Sequence, residues 1–138
     1  MQNIEKIEPV FQNVARWLKP KGKFVMVLPH PCFRIPRQTH WGWDEDKKIE
    51  YRRVDRYANE MKIPILTPPF VDKVNYTMTY HRPLQNYFSA LLKAGLYVDS
   101  LEEWMSNKES ASGKRSRGEN RARKEVPLFM AIRAVRSS

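Results

Sequence analysis

The side chains able to do chemistry gather at two points of this 138-residue chain. Pro29-His30-Pro31-Cys32-Phe33 carries an imidazole and the chain's one thiol, and Tyr80-His81-Arg82-Pro83 carries a second imidazole and a guanidinium. An imidazole titrates near neutrality, so His30 suits a general base or a group that orients a substrate hydroxyl or amine. It equally suits a strand-end histidine that hydrogen-bonds a loop carbonyl. Cys32 reads as a buried filler rather than a nucleophile, since no base is adjacent to it in sequence. His81 and Arg82 stand where a helix begins, and backbone donors and a guanidinium can together hold an anionic group there. The plainer role for the pair is to seat the helix. Trp41, Trp43 and Tyr80 can wall a pocket for a flat or apolar substrate, or form the small core of their own segment. His30, Cys32, His40 and His81 are zinc-type ligands at a spacing that matches no recognised zinc pattern, so no metal is expected.

The elements that must position these groups are legible from pattern. Ile7, Val10, Phe11, Val14, Trp17 and Leu18 fall on one face of a helix over residues 8–18, ended by Pro20 and Gly22. Residues 23–28 form an almost continuous apolar run, which predicts a strand covered on both faces. Pro29 and Pro31 stop its ladder, because neither donates a backbone hydrogen bond. Residues 32–69 lose regularity and read as an insertion, whose acidic Asp44, Glu45 and Asp46 suit a solvated turn. Residues 49–57 and 74–80 are expected to pair as an antiparallel ribbon. Pro83 suits the first position of a helix with Leu84, Tyr87, Phe88, Leu91 and Leu92 on its buried face, closed by Gly95. Residues 96–104 and 127–135 read as the last two strands.

Composition bounds the class. The chain is 41% hydrophobic and 12% aromatic, ordinary for one globular domain. Its longest apolar runs fall far short of the roughly 20 residues of a membrane span, and no signal sequence is visible. A single cysteine excludes an internal disulfide and fits a reducing compartment, so the expected location is cytoplasmic and no membrane partner is expected. Of the net charge of +10, much sits in one place, a net +4 between Ser106 and Glu125, where seven Lys and Arg face three Glu. Without aromatic residues, residues 106–125 read first as a mobile, solvated loop and second as a nucleic-acid contact.

Three stretches carry a family resemblance. They are Leu18-Lys19-Pro20-Lys21-Gly22-Lys23-Phe24, Leu91-Leu92-Lys93-Ala94-Gly95-Leu96, and Pro127-Leu128-Phe129-Met130-Ala131-Ile132-Arg133-Ala134. Together and in order they resemble the second half of class I S-adenosylmethionine-dependent methyltransferases. Leu28-Pro29-His30-Pro31-Cys32-Phe33 and Tyr80-His81-Arg82-Pro83-Leu84 resemble a small-molecule subgroup of these enzymes. The resemblance implies an α/β fold: the C-terminal part of a Rossmann-like methyltransferase sheet, with a cap inserted after the fifth strand and an antiparallel closing strand. It divides the chain into a core helix and strand (1–30), a cap or lid (31–80), and a helix with closing strands and a basic loop (81–138).

The resemblance implies methyl transfer from S-adenosylmethionine to a small molecule. His30 would act as the catalytic group and Phe33, Trp41, Tyr80, His81 and Arg82 as substrate contacts, converging at the strand end. The glycine-rich cofactor turn has no counterpart, because the five glycines (22, 42, 95, 113 and 118) never cluster. The chain is therefore expected to be a substrate-side half, inactive alone and in need of its missing half or another chain to fold. The competing expectation is a non-catalytic fragment that binds another chain or nucleic acid through its basic segment.

Overall fold

In a computed structural model, residues 1–67 and 75–137 are described. The elements run α1 (Glu8–Trp17), β1 (Lys23–Pro29), β2 (Thr39–Asp44), β3 (Ile49–Val54), β4 (Met61–Thr67), β5 (Asn75–His81), α2 (Leu84–Lys93), β6 (Leu96–Trp104), α3 (Ser116–Glu125) and β7 (Phe129–Arg136). Among the described residues, seven strands and three helices make an α/β fold. The main sheet has the order β1-β7-β6, with β7 antiparallel to both neighbours. Consequently β1 and β6 run parallel to one another, and α2 crosses between them.

Register sorts the sheet into two unlike faces. Met26 pairs with Ile132 and Leu28 with Met130, and these side chains meet Phe11 of α1 and Tyr87 and Leu91 of α2 in one buried core. The opposite face holds Val25 and Val27, which pair with Arg133 and Ala131 and are 59% and 51% exposed. The apolar run of β1 is thus covered on one face, not on both as its composition predicts. Trp17 and Leu92, placed by periodicity on buried helix faces, are also exposed, Trp17 at 78%. Each sits at the margin of its stripe, in the last turns of α1 and α2.

The turns obey local chemistry. A Cβ on Gly22 would approach the Lys19 carbonyl oxygen to 2.7 Å, so the Lys-Pro-Lys-Gly turn has room for glycine only. Gly95, at φ +76°, closes α2 by donating to the Leu92 carbonyl at 2.9 Å.

The insertion consists of two ribbons. β2 pairs with β3, and β4 with β5, both antiparallel. The expected pairing of 49–57 with 74–80 is therefore wrong in its partners; residues 49–54 and 75–80 are strand, residues 55–57 are not, and Val74 lies outside the described residues. Each of the two strands pairs with its neighbour in sequence, and closing a shorter connection costs less loop entropy than closing a longer one. The acidic cluster forms the β2–β3 turn, where the Asp44 carboxylate accepts from the Asp46 and Lys47 backbone N–H groups.

The basic segment is corrected as well. Residues 116–125 are helical, and α3 lies on the β2–β3 ribbon. Gly118 allows the approach: a Cβ there would lie 2.7 Å from Trp43 Cζ3 and 2.9 Å from the Lys48 carbonyl oxygen. The Arg115 guanidinium lies over the Trp43 ring and pairs with Glu45 at 2.9 Å. Hydrogen bonds from Lys48 and Arg115 pull the Glu45 carboxyl down to about 2.

Candidate functional site

A cavity of about 200 Å³ opens where β1 ends and α2 begins. Open α/β sheets bind ligands at this place, beyond the carboxyl ends of the strands. Pro29, Pro31, Pro36, Ile65 and Tyr87 supply apolar wall, and Tyr80, His81, Arg82 and Arg34 supply polar groups. Tyr80, His81 and Arg82 of the second motif thus reach the cavity together.

His81 ends β5 and is buried, with its Nε2 2.8 Å from the Tyr57 carbonyl oxygen. An imidazole nitrogen that close to a carbonyl must donate, so Nε2 carries the proton. Burial pushes the His81 pKa down from its usual value, with the Arg82 charge adding to the effect and the Tyr57 carbonyl opposing it. Arg82 is 6% exposed. Its Nη2 donates to the carbonyls of Ile4 and Glu5, both at 2.9 Å, and its Nη1 has no hydrogen-bond partner among the described residues. The guanidinium lies 5.7 Å from the Tyr87 ring centroid. Burial pushes the Tyr87 phenol up, against the pull of Arg82.

The first motif is placed differently. His30 is buried, but it is not part of the cavity wall. Its Nδ1 accepts from the Cys32 backbone N–H at 3.1 Å, and its Nε2 lies 2.7 Å from Glu103 Oε1. Both ring nitrogens are engaged, which fixes the Nε2–H tautomer and ties the loop after β1 to the end of β6. Phe33 packs its ring 4.9 Å from the His30 ring, away from the cavity. Trp41 lies under the Arg52 guanidinium, which also donates to the Phe33 carbonyl at 2.8 Å. Thus Tyr80, His81 and Arg82 come together at the cavity, while His30, Phe33 and Trp41 are not among its lining residues.

Two participants carry no sequence signal. Glu103 was legible only as a strand residue; its register opposite Met130 turns it to the helix-covered face, where His30 lies. Tyr57 sits in an irregular segment, yet its hydroxyl accepts from the Leu84 N–H at the start of α2. Burial and the adjacent Cys32 push the Tyr57 phenol up. Among the described residues no group of three or more His, Cys, Asp or Glu is placed to hold a metal ion. No helix there is long and apolar enough to cross a membrane.

The basic side chains of α3 are partly spent within the chain. Arg115 pairs with Glu45, Arg121 with Glu125, and Arg123 donates to the Ser110 hydroxyl.

An antiparallel strand wedged between two parallel ones, with a cavity at the strand ends, resembles part of a Rossmann-like methyltransferase core. Solved structures agree. An S-adenosylmethionine-dependent methyltransferase from Mesorhizobium loti superposes with a TM-score of 0.68 at 24% identity, over 98% of this chain and 57% of that one. A protein from Listeria monocytogenes described as an S-adenosylmethionine-dependent methyltransferase gives 0.67 at 26% identity, over 99% and 57%. The glycopeptide N-methyltransferase MtfA, in complex with S-adenosylmethionine, gives 0.51 at 14% identity, over 98% and 53%. The chain therefore spans little more than half the length of the structures it resembles. No family model and no curated protein sequence matches it.

The residues described here do not fit S-adenosylmethionine by themselves. Gly22, Gly42 and Gly118 are each packed against the chain's own atoms, and Gly95 ends a helix. None of these four opens a strand-end turn toward a nucleotide.

Proposed function

We propose that this chain is the substrate-side part of an S-adenosylmethionine-dependent methyltransferase acting on a small molecule. The observation that carries the reading is the cavity at the end of β1, into whose wall Tyr80, His81 and Arg82 are brought by a motif remote in sequence from Pro29 and Pro31. Its small volume suits a ligand below drug size, for which sites run to about 300–1,000 Å³.

In this reading residues 1–30 and 81–138 belong to the methyltransferase core. Residues 31–80 form a cap over the strand ends, and β7 is the closing strand. The cofactor is held by residues outside those described, so this chain contributes orientation rather than the methyl donor's site. His30 acts outside the cavity wall, its contacts with Glu103 and the Cys32 N–H holding the loop that bears Pro31. A nucleic-acid role is weakened because Arg115, just before α3, and Arg121 and Arg123 within it already have partners in the chain. A cytoplasmic location belongs to the same proposal.

The test is methyl transfer from isotopically labelled S-adenosylmethionine to a panel of small nucleophiles by the protein encoded by the complete reading frame. Arg82→Ala or His81→Ala should impair turnover more than cofactor affinity. Absence of cofactor-dependent labelling across the panel, or unchanged kinetics in both variants, overturns the reading.

A further inference from the structure

The two outer strands of the main sheet have unlike edges. In the order β1-β7-β6, β1 and β6 each keep one side without a neighbour among the described residues. An open edge is a template for another chain, and natural edges are blunted by charges and bulges. β6 has both: its register shifts between Val98 and Ser100, and it carries Asp99, Glu102 and Glu103. β1 pairs with β7 in unbroken register from Lys23 to Pro29. Lys23 and Pro29 stand only at its ends, and Phe24-Val25-Met26-Val27-Leu28 between them holds no charge and no bulge. Such a run is the composition of a strand in a parallel sheet, with cover on both faces.

The open face of the sheet is graded in the same sense. Toward β6, Arg133 pairs with Asp99 at 2.8 Å, which suits contact with water. Toward β1, the half-exposed Val25 and Val27 line a groove of about 260 Å³ together with Ala131 and Trp104.

Whatever covers β1 has a second requirement to meet. Gly22, Gly42, Gly95 and Gly118 open no turn toward a nucleotide, so the chain does not hold S-adenosylmethionine on these residues. The structures it resembles are matched over only 57% of their length, and the rest of their fold has no counterpart here. Residues 68–74 and 138, outside those described, are too few to form a strand, a covering helix and a cofactor site. A second copy of the chain could pair with β1, but it would bring the same glycines and no cofactor site.

We infer that β1 is an interior strand of the working assembly, in which a polypeptide that holds S-adenosylmethionine lays a parallel strand along its free edge and an apolar helix face on Val25 and Val27. The inference rests on the methyltransferase reading and names the partner of that site. A strand parallel to β1 ends beside Pro29, at the cavity, where open α/β sheets bind their ligands.

The test is photo-crosslinking in the cells the chain comes from, with Val25→p-benzoylphenylalanine, and with the same group at exposed Tyr97 of β6 as control. The group at position 25 should label a polypeptide that takes up radiolabelled S-adenosylmethionine, and the group at position 97 should not. Val25→Asp, which gives β1 the charge that natural edges carry, should lose that partner. Because an altered chain can fail to fold, the unaltered chain is measured as well. Purified from its own cells it should bind S-adenosylmethionine in calorimetric titration, and made in a host without the partner it should not. Crosslinking to a second copy, to a polypeptide without affinity for the cofactor, or equally from both strands overturns the inference. So does a chain from its own cells that neither crosslinks nor binds the cofactor. Methyl transfer by the isolated chain would remove this inference and leave the methyltransferase reading. A cofactor-holding partner at Val25, in a complex that methylates no acceptor, would do the reverse.

Discussion

The Tyr57 hydroxyl accepts the Leu84 backbone N–H at 3.0 Å, so a residue of the irregular insertion caps the core helix α2. The same residue's carbonyl receives His81 Nε2–H at 2.8 Å. One side chain and its own backbone thereby join the cap to the two residues on either side of Arg82 and Pro83. The first N–H groups of a helix have no partner within the helix, and a buried start must find one elsewhere.

Tyr57→Phe keeps the ring and removes the acceptor. We expect a loss of about 1 kcal/mol in urea unfolding, the usual worth of one helix cap or hydrogen bond. Amide exchange at Leu84 should rise more than exchange in β7. A variant as stable as the parent, with Leu84 equally protected, would show that the bond does not hold the helix start.

Glu103→Ala leaves the Nε2–H of buried His30 without its acceptor, at a cost of about 1–3 kcal/mol. Glu103→Gln retains an oxygen at the same place and should lose less. Equal denaturation midpoints for both variants would mean that water replaces the carboxylate freely.

His81 gives stability a pH dependence. Its folded-state pKa lies below the unfolded value of 6.5, chiefly through burial, so the unfolded chain binds the extra proton first. The stabilisation is present above pH 6.5 and is lost as pH falls through the folded-state pKa. Thermal melts between pH 8 and pH 5 should therefore show a fall that His81→Gln reduces, since the amide donates to the Tyr57 carbonyl without titrating. Parallel profiles for parent and variant would place the titration elsewhere.

Gly118→Ala tests how α3 sits on the ribbon. Alanine is better than glycine within a helix by about 1 kcal/mol. Here the added methyl would meet Trp43 and, at 2.9 Å, the rigid Lys48 carbonyl oxygen, so the contact should open. We expect faster amide exchange in α3 and altered tryptophan fluorescence. A gain in stability with unchanged fluorescence would show that the ribbon yields without cost.

The uncovered face of the main sheet should make the chain self-associate. Val25, Val27 and Trp104 are exposed there, and among the described residues β1 has one unpaired edge. Sedimentation velocity at rising concentration should show association that Val25→Thr with Val27→Thr weakens. A monomer at every concentration would mean the face is tolerated in water.

Much of the fold follows from short-range rules that the sequence displays on its own. The stripe of Tyr87 and Leu91, the Gly22 and Gly95 turns and the apolar strands 23–28 and 129–134 each depend on neighbours within a few positions. Tertiary structure decided what depends on partners distant in the chain. Whether Val25 and Val27 are covered turns on what lies across the sheet, and local hydrophobicity carries no record of it. The pairing of β3 with β2 and of β5 with β4 turned on competing strands of similar composition. The basic segment is a helix because Trp43 and Glu45, far away in sequence, give it a surface to rest on; its charge pattern alone resembles a solvated loop. The site divides in the same way. Tyr80, His81 and Arg82 reach one cavity wall because they are adjacent in the chain at the end of β5, whereas His30 is engaged by Glu103, a carboxylate visible only once β6 and β7 are in register.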